Sequence, residues 1–134
     1  MGFDVFVQRF QNGEPAVVTD PRVWELLREA WEAPPDDLDF SRVRRGAGEA
    51  DLYAVQEGEP IDGLMFSRPA GGAEIFDLIV DVARAGDMVI YAPGIPPCLI
   101  AEGQRSQLPA DFDDFKDPVV VANGAELQEV IERA

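Results

Sequence analysis

Histidine is missing from the chain altogether, cysteine occurs once, and the basic residues are ten arginines with a single lysine, Lys116. Without histidine, Ser-His-Asp and Cys-His catalysis, histidine general bases and the common zinc sites are all excluded. The lone Cys98 forms no internal disulfide and builds no zinc site by itself. It lies in YAPGIPPCLIAEG, residues 91–103, where the following LIAE reads as a strand and not as the start of a helix. Neither histidine nor a helix N-terminus favours its thiolate, and it reads as a small hydrophobe in a structural loop stiffened by proline and turned at Gly94. Phosphate-binding GxxxxGK[ST] and GxGxxG motifs are absent, GAG at 46–48 and GG at 71–72 being isolated. No apolar run reaches the roughly 18 residues that cross a bilayer, and MGFDVFVQRF lacks the basic start and small-residue cleavage site of a secretory signal. A cytoplasmic protein is the expectation.

What the sequence has in excess is negative charge: 26 acidic against 11 basic residues, a net charge of −15. Such a field repels phosphate backbones and anionic lipid, so nucleic acid and membrane partners are disfavoured. Its plainest role is solubility, and its sharper one is attraction of a basic protein. Carboxylates concentrate at Asp36, Asp37 and Asp39 and again at Asp111, Asp113, Asp114 and Asp117. DFDDFKD (111–117) does not make a calcium loop, because Phe112 and Phe115 interrupt the ligand spacing and the glycine and terminal glutamate are missing. No metal or cofactor is predicted.

At 134 residues, 46% of them hydrophobic, the chain is expected to fold as a single domain, 1–134, around one core. FDVFVQRF (3–10) alternates as a central strand, with Phe6 and Phe10 on one of its faces. TDPRVWELLREAWE predicts a helix with Thr19 or Asp20 as N-cap, Pro21 in its first turn, and Val23, Leu26, Leu27, Ala30 and Trp31 on one stripe. Residues 34–49 read as a long loop, 50–56 and 61–69 as a hairpin, and 72–85 as a helix stopped by Gly86. DMVIYA, CLIAEG and PVVVA (118–122), the last a buried strand, are followed by a helix capped at Asn123 with Glu126 reciprocating. This order predicts an α+β fold: a ferredoxin-like βαββαβ core with a C-terminal ββα extension.

The opening FDVFVQRFQNGEP, with the glycine-started helix at 72–85 and DMVIYAPG, resembles small uncharacterised single-domain bacterial proteins, a likeness that carries structural motifs and no activity. In size, acidity and lack of a catalytic set the chain also resembles the immunity proteins that neutralise bacterial toxins. The leading functional expectation is a non-catalytic binding protein docking a basic partner through the two acidic clusters. The alternative is a small-molecule-binding protein or enzyme using Asp62, Arg68 and Tyr91 in a pocket near the sheet. Oligomeric state is open at this level.

Overall fold

The computed structural model describes residues 4–33, 40–53, 59–110 and 117–133. Among them the chain forms an α+β fold. In chain order it runs β1 (Asp4–Gln11), β2 (Glu14–Ala16), α1 (Pro21–Ala30), β3 (Trp31–Ala33), β4 (Phe40–Arg45), β5 (Gly48–Tyr53) and β6 (Leu64–Ala70). There follow α2 (Glu74–Gly86), β7 (Val89–Tyr91), β8 (Cys98–Leu99), a 3-10 segment (Glu102–Gln107), β9 (Val119–Val120) and α3 (Gly124–Glu132). The strands make one mixed, mostly antiparallel sheet in the order β3-β4-β5-β6-β1-β7-β8-β9, with β2 paired to the second half of β1 and only β8-β9 parallel.

Parity along the strands decides which side is dry. Val5 and Val7 of β1, Ala50 and Leu52 of β5, Leu64 and Phe66 of β6 and Ile90 of β7 are all buried in one cluster. Over them lies α2, whose Ile75, Leu78, Ile79, Val82 and Ala83 are fully buried, flanked by α1 and α3. Burying a side chain such as Phe66 contributes about 2–3 kcal/mol, so this layer dominates the stability of the fold.

Local chemistry sets the ends of the elements. Asp20 caps α1, accepting from the Arg22 N–H at 2.9 Å, and proline occupies the first turn. Asn12 and Gly13, at φ 53° and 82°, form the tight turn between β1 and β2 that an Asn-Gly pair favours. At α3, Asn123 accepts from the Glu126 N–H at 3.0 Å, while the Glu126 carboxylate reaches back to the Ala122 N–H. Gln104 anchors the 3-10 segment from a buried position, accepting from the Ile100 N–H at 2.8 Å and donating to Asp87 and to the Met88 carbonyl.

Several elements differ from the sequence expectation. The segment 34–49, expected to be a loop, contains β4, a two-residue turn and the start of β5; Ser41 and Val43 alternate inward with Arg42 and Arg44 outward. Trp31 ends α1 and opens β3 instead of extending the helical stripe. Gly86 is the last helical residue, and the left-handed cap is Asp87 at φ 53°. The expected buried strand 118–122 is a two-residue edge strand whose Val120 is 45% exposed. The connection from β1 through α1 leads to β3 at the sheet edge, and with β2, β3 and β4 the nine-stranded sheet is larger than the expected ferredoxin-like core with its C-terminal ββα extension.

The N-terminus of α3 meets α2 so closely that a Cβ on Gly124 would lie 2.2 Å from the Asp77 nitrogen, whereas one on Gly103 would meet nothing within 4 Å. Gly124→Ala is therefore expected to destabilise the protein by about 1–3 kcal/mol in urea unfolding, and Gly103→Ala to leave the midpoint almost unchanged.

Candidate binding face

The side of the sheet opposite α2 carries the other half of each alternation, and the register aligns these residues into rows. Phe40 pairs with Tyr53, Tyr53 with Met65, Met65 with Phe6, and Phe6 with Tyr91. Four aromatic rings and a methionine thus stand side by side on five adjacent strands, a stripe of about 19 Å at ordinary strand spacing. Phe6 stacks on Tyr91 with ring centroids 5.4 Å apart, and Phe40 meets Tyr53 edge to face at 5.2 Å. All five keep accessible surface, Tyr53 most at 39%. Next to the stripe, Phe10, Val89 and Leu99 are buried in a small second cluster with Leu108 packed against it. The Tyr91 hydroxyl donates to Gln8 Oε1 at 3.2 Å, and burial pushes its pKa above the ordinary phenol value.

One step along the strands the row is polar: Arg42 opposite Asp51, Asp51 opposite Ser67, Ser67 opposite Asp4. Asp51 is nearly buried and is held by two arginines, Arg68 Nη2 donating to Oδ2 at 2.7 Å and Arg42 Nε lying 3.4 Å from Oδ1. Arg68 reaches this face through a bulge in which Arg68 and Pro69 oppose Ala50 alone, with Arg68 at φ 54°. Such a bulge re-aims a side chain that strict alternation would send inward. The Asp51 hydrogen bond, and then its charge, raise the Arg68 pKa. Ser67 donates to Asp4 at 2.7 Å. In the outermost row Arg44 bridges Glu32 and Glu49, and the Glu32 contact raises its pKa.

Two shallow hollows mark the face. One, of about 230 Å³, is lined by Phe6, Val7, Gln8, Tyr53, Gly63, Leu64, Met65 and Tyr91. The other, of about 270 Å³, lies among Arg42, Glu49, Ala50, Asp51 and Arg68. The three residues of the small-molecule expectation are therefore divided. Tyr91 lines the aromatic hollow, Arg68 belongs to the charged one, and Asp62 is exposed in the bend just before Gly63. Of the acidic clusters, Asp36, Asp37, Asp39, Asp111, Asp113 and Asp114 lie outside the described residues, and Asp117 is exposed. Among the described residues no group of three His, Cys, Asp or Glu is arranged to hold a metal ion. No described helix is long and apolar enough to cross a membrane.

Cys98 is fully buried, and burial raises its thiol pKa to about 12. The aromatic row was missed by sequence reasoning because only Phe6 and Phe10 could be placed on one face without the register. The available signal was the alternation in FSRVRR, with its two-residue Gly46-Ala47 turn, from which counting back pairs Phe40 with Tyr53. No protein-family model, curated protein or solved structure matches the chain.

Two outcomes follow from this geometry. Because Asp51 keeps one arginine in either single variant, Arg42→Ala combined with Arg68→Ala should destabilise by about 1 kcal/mol more than the sum of the singles in a double-mutant cycle. The native Cys98 thiol should resist labelling at pH 7 until the protein unfolds. Since its folded pKa is raised from 9.0 to about 12, the stability linked to it is complete below pH 9. That stability should decline as pH rises through this window, seen as a falling urea midpoint that Cys98→Ala partly flattens.

Proposed function

We propose that the chain is a non-catalytic binding protein that docks a basic protein partner on the open face of its sheet. The observation that carries this reading is the accessible row of Phe40, Tyr53, Met65, Phe6 and Tyr91, bordered along one side by arginine-carboxylate rows. Aromatic residues, methionine and arginine are the types enriched at binding hot spots, and a charged border around an apolar centre is the usual anatomy of an interface.

Charge supports the choice of partner. Nine of the arginines are ion-paired with described carboxylates, which cancels most of the positive charge locally and leaves the acidic excess to set the distant field. Two copies at −15 each repel, so a second copy of this chain is a poor occupant and a basic protein a good one. An immunity-type protein covering a basic toxin is the specific form of this reading. The antiparallel inner order β5-β6-β1-β7 supports viewing these strands, with α1 and α2, as a ferredoxin-like core carrying an inserted β3-β4 hairpin.

The test uses a partner identified by co-purification and then measured as a pure protein. Raising salt should slow association tenfold or more, and Tyr53→Ala with Met65→Ala should speed dissociation, each by surface plasmon resonance. Changing Asp36, Asp37 and Asp39, or Asp111, Asp113, Asp114 and Asp117, to asparagine should lower the association rate more than it raises dissociation. An acidic partner, or unchanged binding by the face variants, refutes the proposal.

A further inference from the structure

We infer that the hollow between Phe6 and Tyr53 is a slot for one arginine side chain of the partner, its guanidinium lying against the rings. This rests on the docking proposal and names the group recognised. Phe6 and Tyr53 stand on strands separated only by β6, whose Met65 lies between them, so their backbones are about 9.6 Å apart. Stacking on Tyr91 engages one face of Phe6 and leaves the other. The hollow of about 230 Å³ has room for one long side chain.

Cation over neutral group is decided by charge. The lining contains no arginine or lysine, because Arg42 and Arg68 are drawn one row away by Asp51. Asp62, the sequence neighbour of the lining residue Gly63, is exposed and has no ion-pair partner among the described residues. Aromatic faces attract guanidinium more readily than ammonium, and the tyrosine oxygen and Gln8 supply acceptors for its N–H groups.

The experiment follows the ¹³C-methyl signals of methionine in the full chain during titration with N-acetyl-arginine amide and, separately, N-acetyl-norleucine amide. Met65 lines the slot and Met88 is fully buried, so Met88 reports folding while Met65 reports occupancy. Arginine amide should shift Met65 and leave Met88 in place, with affinity falling about fivefold in Tyr53→Ala and about twofold in Asp62→Asn. Equal or stronger shifts with norleucine amide would overturn the slot as a cation site, as would a silent Met65 with arginine amide. Broadening of Met65 with protein concentration alone, a second copy filling the slot, would overturn it too. The wider docking proposal is judged separately, by the partner's salt dependence and the face variants.

Discussion

The structure depends on one dry interface, that between α2 and the inner strands. Val5, Val7, Leu52, Leu64, Phe66 and Ile90 meet Ile75, Leu78, Ile79 and Val82 there. Because side chains alternate along a strand, sending these residues beneath α2 obliges their neighbours to the opposite side. The aromatic row is thus a consequence of core formation: Phe6 lies outward because Val5 and Val7 lie inward, and Tyr53 because Leu52 does. A one-residue slip of any inner strand would bury a tyrosine, an aspartate or an arginine under the helix, so the register that builds the core also builds the binding face.

The two sides of the sheet then differ in what they do. Apolar burial beneath α2 contributes on the order of 2–3 kcal/mol per large side chain, whereas each exposed ion pair on the other side contributes at most about 1 kcal/mol. The arginine-carboxylate rows therefore do little to hold the fold together. Their effect is on charge placement: they neutralise arginines in place and draw Arg42 and Arg68 toward Asp51, away from the aromatic hollow. The bulge at Arg68 serves the same end, since without it the guanidinium would point toward the core. Left-handed backbone at a non-glycine residue costs energy, and Arg68 carries that conformation at φ 54° within the bulge.

Much of this was legible in the sequence because it is written in local periodicity and end signals. The alternation of 3–10, the Asp20-Pro21 entry to α1, the apolar stripe of α2 and the Asn123 cap of α3 depend on residues a few positions apart, and short-range physics determined them. The same holds for the exclusion of histidine chemistry. The β4 strand was hidden because Ser41 is a small polar inward residue and three arginines give FSRVRR the look of a loop; its pairing to β3 and β5 makes the strand worth forming. The grouping of Phe40, Tyr53, Met65, Phe6 and Tyr91, the separation of Arg68 from Tyr91, and the turning of Arg68 by its bulge were decided by the tertiary structure alone. Each depends on which strands lie side by side and in what register, and that is set by the summed burial under α2, a long-range quantity that no short stretch of sequence contains.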